Sequence, residues 1–219
     1  MSQTQRITHI DSLRGAAVLL MVMVHAAATW NPFQNPQLSV LAYAVSGLGG
    51  LAAPLFVTLF GWGIVRSHQS LKQRTFQALF LFTAQVLVNL TSPHLFNTFT
   101  PGVLSLMALL TLLLPFLAHQ FRESGIYLMV VLIAFIFTIQ FFFPEVQGAG
   151  GWGERVNDDS VSIVVSNLLF TGTYPLFPWI LFAVLGGVIS TQPHGLGATL
   201  PLTILTKSTI GLGLLFCLS

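Results

Sequence analysis

The chain has 219 residues, of which 54% are hydrophobic and only 6% are charged. Soluble domains carry about 25% charged residues, so this composition excludes a soluble globular protein and predicts an integral membrane protein. The formal net charge of +2 comes from scattered residues without a basic tract, which argues against nucleic acid as a partner. The single cysteine, Cys217, cannot form an internal disulfide, and no Cys/His pattern has the spacing of metal ligands.

Seven apolar stretches predict an all-α, polytopic bundle of about seven transmembrane helices, forming a single domain over residues 1–219. The stretches lie at residues 13–30, 42–65, 76–91, 102–119, 126–143, 176–190 and 198–218. The third and sixth are short, so they could be tilted or partial spans. Residues 91–102 have the composition of a turn. Residues 160–171, within the long loop 144–175, could form a short surface helix.

The distribution of lysine and arginine predicts a cytoplasmic N-terminus. With that orientation, six basic residues fall on the cytoplasmic side: Arg6, Arg14, Arg66, Lys72, Arg74 and Arg122. The opposite loops hold one basic residue, Arg155, beside four acidic ones. We therefore expect a multi-pass protein of a plasma membrane of bacterial type, with His25 in the half of the membrane away from the cytoplasm.

The first predicted helix carries three ionisable side chains, Asp11, Arg14 and His25. A charge at the bilayer centre costs about 2.5–3.5 kcal/mol, so we expect these groups to be used. Arg14 and His25 are about 16 Å apart along a helix and point within about 20° of the same direction. Asp11 and Arg14 are one turn apart, close enough to pair. Alternatively, Asp11 caps the helix, Arg14 reaches lipid phosphates and His25 bonds a backbone carbonyl.

Residues 1–28 also have the basic start, the apolar run and the alanines of a secretory signal peptide. Asp11 and His25 fit such a peptide poorly, so we expect the segment to be retained. Two polar pairs lie within later helices, Gln85 with Asn89 and Thr203 with Lys207. Hydrogen bonding between helices is the expected role of the first pair, and Lys207 requires a partner, a water path or a phosphate.

Three stretches carry a resemblance to a known family. The first is Ile10-Asp-Ser-Leu-Arg-Gly15, followed by an apolar helix with a histidine. The second is Ala53-Pro-Leu-Phe-Val-Thr-Leu-Phe-Gly61, and the third is Tyr174-Pro-Leu-Phe-Pro-Trp179 ahead of two glycines. In this order they resemble the transmembrane acyltransferase superfamily, in particular its heparan-α-glucosaminide N-acetyltransferase catalytic-domain branch. Thr58 stands where an aromatic residue is common in that branch.

The resemblance implies a membrane enzyme that takes an acyl group, usually acetyl, from cytoplasmic acyl-coenzyme A. The group would pass to a sugar amine or hydroxyl on the far side, so the implied partners are the lipid bilayer, acyl-coenzyme A and a saccharide or glycolipid. Acyl-coenzyme A is then a co-substrate, and no permanently bound cofactor is implied. The family's working histidine lies near the far end of the first helix or just after it, and His25 is the only histidine between residues 10 and 67. A homo-oligomer stays open.

We take His25, Asp11 and Arg14 as the candidate catalytic residues. Histidine suits a general base near neutral pH, and an acyl-histidine intermediate is the alternative route. Trp30, Asn31 and backbone N–H groups near Pro54 are candidates for polarising the thioester carbonyl.

Four cations are candidates for binding the donor phosphates: Arg14, Arg66, Lys72 and Arg74. The alternative for the last three is an ordinary positive loop on the cytoplasmic side.

Further candidates lie mainly on the predicted far side. His94 is the second candidate base, whereas His68, His119 and His194 are expected in solvated cytoplasmic loops. Two acidic residues, Asp158 and Asp159, could attract a sugar ammonium group or be merely solvated. Trp152 and Trp179 could stack on a sugar ring or belong to an interfacial aromatic belt.

Two other functions stay open from the sequence. A transporter or flippase of the same fold would use Asp11, Arg14 and Lys207 as pathway charges. A non-catalytic scaffold would use its polar residues for stability alone.

Overall fold

The computed structural model describes residues 8–29, 40–144 and 151–191, and every regular element in these ranges is helical. The elements follow in chain order as α1 (Thr8–Thr29), α2 (Val40–Arg66), α3 (Leu71–Thr91), α4 (Val103–Phe142), α5 (Trp152–Val156), α6 (Val161–Ser166), a π-helix (Asn167–Thr171) and α7 (Leu176–Thr191). The all-α prediction is confirmed for this part of the chain.

The predicted apolar stretches coincide closely with observed helices. The fourth and fifth are joined in α4, where the single residue Ser124 is non-helical (φ −147°, ψ 35°). The proposed surface helix 160–171 is α6 followed by the π-helix. The seventh stretch, 198–218, lies outside the described residues.

Three described stretches are long and apolar enough to cross a membrane: Gly47–Arg66, Val103–Phe121 and Glu123–Phe142. A fourth results if Val161–Thr171 and Leu176–Thr191, which meet at 47°, form one bent span. The polar helix α3 is not among them. The described residues therefore support a membrane protein with three or four spans, and the predicted total of seven and the N-terminal orientation stay predictions.

The chain divides into two compact units, Met1–Leu59 with Pro193–Ser219 and Phe60–Gln192. In the described part of the first unit, α1 lies close against α2. A Cβ atom on Gly49 would stand 2.8 Å from Cγ2 of Val24, the residue before His25. A glycine at this position therefore lets the two helices approach.

In the second unit α7 forms the centre, because 11 of its 16 residues are buried. It packs on α4, which also packs on α3. Gly61 lies so close to α7 that a Cβ atom would stand 2.7 Å from Cα of Ala183, and one on Gly187 would stand 2.7 Å from the ring of Phe121. Small residues allow such close helix packing, which stabilises bundles in lipid.

The second half of α4 faces outward. Only 11% of the stretch Glu123–Phe142 is buried. Large apolar side chains are exposed along it, among them Ile126, Phe137 and Phe141. Such a surface suits contact with lipid chains rather than water.

The turn between α3 and α4 is held by the polar pair of α3. Gln85 donates to Asn89 (2.9 Å), and Asn89 donates to the carbonyls of Thr98 and Thr100 (3.0 and 2.9 Å). The side-chain oxygen Oε1 of Gln85 accepts a hydrogen bond from the N–H of Leu104 at the start of α4 (3.1 Å). The pair thus joins α3 to the turn and to the next helix. Hydrogen bonding between helices is the role that the sequence predicts for it.

Candidate functional site

The first candidate, His25, is exposed and lies near the end of α1. Its Nδ1 lies 2.7 Å from the carbonyl oxygen of Met21. A carbonyl oxygen can only accept, so Nδ1 must carry the proton of this hydrogen bond. In the neutral ring the lone pair is then on Nε2, which is the atom that would act as a base. The backbone hydrogen bond foreseen as an alternative is present, and the catalytic role stays a prediction.

Asp11 and Arg14 form the pair that their spacing predicts. Arg14 Nη1 donates to Asp11 Oδ1 over 3.2 Å, and the side chains are 47% and 35% exposed, respectively. Asp11 lies in the first turn of α1, where the helix dipole also stabilises a negative charge. Three turns of helix separate Arg14 from His25, about 16 Å, so the pair does not contact the imidazole.

Among the candidates for polarising a thioester carbonyl, the structure describes only the backbone near Pro54. Trp30 and Asn31 lie outside the described residues. The helix α2 continues through Pro54, so the N–H groups around that residue are engaged in the helix itself. The side chain of Thr58 is fully buried, and its hydroxyl donates to the carbonyl of Pro54 (2.7 Å). The hydroxyl of Thr58 therefore bonds within α2 itself.

The predicted phosphate-binding cations of the second unit surround the turn between α2 and α3. The guanidinium of half-buried Arg66 lies over the ring of Trp62, 4.9 Å from its centroid. Lys72 is exposed in the first turn of α3, which begins at a capping box formed by Ser70 and Gln73. These two cations lie on either side of a turn of four residues and can both reach solvent.

Arg74 differs from these two cations, because its side chain is only 7% exposed. Its Nε donates to Gln69 O (3.3 Å), and its Nη2 donates to Ser67 O (2.8 Å) and Ile64 O (3.4 Å). Nη1 is buried without a hydrogen-bond partner. Burial lowers the pKa of Arg74 from its ordinary value, although an arginine stays protonated in proteins.

Three further histidines in the described part of the chain have surface positions. His94 lies exposed in the turn between α3 and α4, and His68 lies exposed in the turn before α3. His119 is exposed near the middle of α4 and lies 3.3 Å from Glu123. His194 lies outside the described residues. His94 keeps an accessible position that a second candidate base requires.

Two residues considered for binding an acceptor also connect loops by hydrogen bonds. Asp158 accepts a hydrogen bond from the N–H of Phe99 (2.8 Å). The indole of Trp152 donates to Leu95 O (3.1 Å), and its ring packs against Phe96 with centroids 5.7 Å apart. These bonds attach residues 152–158 to the α3–α4 turn. Asp159 is exposed beside them.

Thr100 completes this attachment, and the sequence gives no signal for it. Its buried hydroxyl donates to Val156 O (2.6 Å) and accepts from the N–H of Asn97 (3.1 Å). One threonine thus links two loops that lie more than fifty residues apart in the chain.

The third family-like stretch builds an aromatic cluster where α7 begins. Tyr174 and Trp179 lie with ring centroids 5.1 Å apart, and Trp179 lies 5.6 Å from Phe182. Thr173 fixes the stretch to the α3–α4 turn by donating to Pro101 O (3.1 Å). Trp179 is half-buried in this cluster, and its role in sugar stacking or in an interfacial aromatic belt stays a prediction.

Comparison with known protein families finds a match. The family model for the catalytic region of heparan-alpha-glucosaminide N-acetyltransferase matches residues 6–210. That range contains the Asp11–Arg14 pair, His25 and the turn between α2 and α3. No curated protein and no solved structure matches the sequence significantly.

Proposed function

Because the chain belongs to the heparan-alpha-glucosaminide N-acetyltransferase catalytic family, a family of membrane acetyltransferases, we propose that it is an acyl-coenzyme A-dependent acyltransferase. It takes an acyl group, in the first place acetyl, from the cytoplasmic side and transfers it to the amine or hydroxyl of a saccharide or glycolipid on the far side. The N-terminus is cytoplasmic in this proposal, and the membrane is a plasma membrane of bacterial type.

The observation that supports this reaction best is the hydrogen bond from His25 Nδ1 to Met21 O. This bond favours the tautomer in which Nε2 carries the lone pair, and a general base needs that lone pair. Nε2 removes the proton of the acceptor amine or hydroxyl as this group attacks the thioester carbonyl. The carbon–sulfur bond then breaks, and the imidazolium returns the proton to the coenzyme A thiolate.

The donor supplies phosphates, which require cations. Lys72 and Arg66 carry positive charge at the turn between α2 and α3, and Arg14 carries it near the start of α1. Arginine recognises phosphate oxygens with a planar fork, and lysine acts as a point charge. We assign the phosphates to Arg66 and Lys72, with Arg14 held by Asp11 as a further candidate.

The test compares acetyl transfer by purified, detergent-solubilised wild type, His25→Ala and His94→Ala, using radiolabelled acetyl-coenzyme A. His94, the second candidate base, is also an exposed histidine, so the two variants distinguish between the two candidates. Loss of a general base lowers the rate by about 10²–10⁴-fold, so we expect that loss for His25→Ala and near wild-type rates for His94→Ala. Acid-labile label retained on the wild type alone indicates an acyl-histidine route. A wild type that neither binds coenzyme A nor cleaves the thioester contradicts the proposal.

A further inference from the structure

The side chain of Arg74 turns back from the first turn of α3 to the end of α2. Its three hydrogen bonds all end on backbone carbonyls, those of Ile64, Ser67 and Gln69. Ile64 belongs to the last turn of α2, where carbonyl groups lack partners within the helix. A cation is favoured there by the negative end of the helix dipole. Arg74 thus closes the turn between the two helices.

The hydrogen bonds of Arg74 lie on both sides of Arg66 in the backbone. Arg74 Nη2 binds the carbonyl two residues before Arg66 and the carbonyl directly after it. The same guanidinium reaches Gln69 O, next to the cap residue Ser70 from which the first turn of α3 and Lys72 follow. The backbone on both sides of the two accessible cations is therefore fixed by one buried side chain.

Arg74 itself is a poor ligand for an anion. The side chain is 7% exposed, and its hydrogen-bonding Nε and Nη2 atoms already serve carbonyls. The remaining nitrogen, Nη1, is itself buried. An incoming phosphate could reach the guanidinium only if the turn opened and these bonds broke.

We propose that Arg74 is a positioning residue for the acyl donor: it holds Arg66 and Lys72 in the arrangement that binds the phosphates and does not contact them. This inference rests on the acyltransferase function proposed above. Lysine cannot replace it, because one ammonium group lacks the planar fork that reaches several carbonyls at once. Arg74→Lys therefore keeps the charge and loses the closure.

The test compares KM for acetyl-coenzyme A with KM for acetyl-pantetheine, which has the same thioester and no phosphate. Charge-assisted hydrogen bonds contribute about 1.5–3 kcal/mol, so we expect Arg74→Lys to raise KM for acetyl-coenzyme A about tenfold or more. The KM for acetyl-pantetheine stays within about twofold of the wild-type value, and Lys72→Gln gives the same donor-selective pattern. KM does not depend on the folded fraction, so partial instability does not disturb this comparison.

A second measurement needs only the wild type. Phenylglyoxal, which modifies accessible arginines, is applied with and without coenzyme A, and modified sites are mapped by mass spectrometry. We expect Arg66 to be modified and then protected by coenzyme A, and Arg74 to stay unmodified in both samples.

Three results overturn the inference: wild-type KM values for Arg74→Lys, an equal loss with both donors, or modification of Arg74 that coenzyme A prevents. They are distinct from failure of the proposed function, in which the wild type transfers acetyl from neither donor.

Discussion

Gln85 donates a hydrogen bond to Asn89 one turn later on α3, and Asn89 is only 1% exposed. The side-chain amide of Asn89 in turn donates two hydrogen bonds to backbone carbonyls of the α3–α4 turn. A buried amide that serves three partners is expensive to lose, because each partner is left without a hydrogen bond in a place that water does not reach.

Replacement of Asn89 by leucine should therefore lower stability. Each unsatisfied buried group costs about 1–3 kcal/mol, so Asn89→Leu should lower the midpoint of thermal unfolding in detergent by several degrees. The control is Thr83→Val on the same helix, because Thr83 is exposed and bonds only the Leu79 carbonyl within α3. Equal midpoints for the two variants would contradict the role of Asn89.

Gly61 should not tolerate a side chain. The added Cβ of Gly61→Ala would meet the backbone of Ala183 on α7, which cannot move aside as a flexible side chain can. Overpacking of this kind costs about 1–3 kcal/mol. Gly50→Ala in the same helix is the control, because nothing lies within 4 Å of its Cβ position and alanine favours a helix. Thermal unfolding should show a loss for the first variant only, and parallel behaviour would remove the argument for close packing.

The Asp11–Arg14 pair should matter more for activity than for stability. Both side chains are partly exposed, and exposed pairs contribute about 0.2–1 kcal/mol. Asp11→Asn and Arg14→Gln should therefore shift the unfolding midpoint slightly and lower acetyl transfer by a larger factor. The double variant Asp11→Arg with Arg14→Asp restores an ion pair without restoring the charge positions. Recovery of transfer by this exchange would show that the pair acts only in stability.

The predicted topology places the two ends of α3 on opposite sides of the membrane. Single cysteines at His68, His94 and His119, in a Cys217→Ser background, test this because all three histidines are exposed. An impermeant maleimide added to intact cells should label the position-94 cysteine and leave positions 68 and 119 unlabelled. Labelling of all three from one side would show that α3 does not cross.

Hydrophobic length explains why the helices could be predicted from the sequence. A stretch of apolar residues must form internal hydrogen bonds in lipid, and this fixes helices at nearly the predicted positions. The spacing of Asp11 and Arg14 gave their pairing for a similarly local reason. The count of spans was less certain, because α3 combines helical length with buried polar groups.

The contacts that side chains make with distant parts of the chain could not be predicted from the sequence in the same way. The charge of Arg74 predicts phosphate binding, which stays a prediction, and its three carbonyl partners depend on the shape of a turn that the sequence does not reveal. Asp158 and Trp152 bond to residues 95–99, more than fifty positions earlier in the chain. No local sequence pattern indicates such partners. In the sequence, a charged or aromatic residue that connects two loops therefore cannot be distinguished from one that binds a ligand.

Because α7 is buried in the protein, the thickness of the bilayer constrains its length less than that of a helix facing lipid. Phe177 is non-helical, and the helix from Pro178 to Thr191 extends about 21 Å, less than the roughly 30 Å of a hydrocarbon core. A helix of that length facing lipid would experience hydrophobic mismatch and would have to thin the membrane. Because protein encloses α7, only the outer helices have to match membrane thickness. The ends of α7 can therefore lie below the membrane surface.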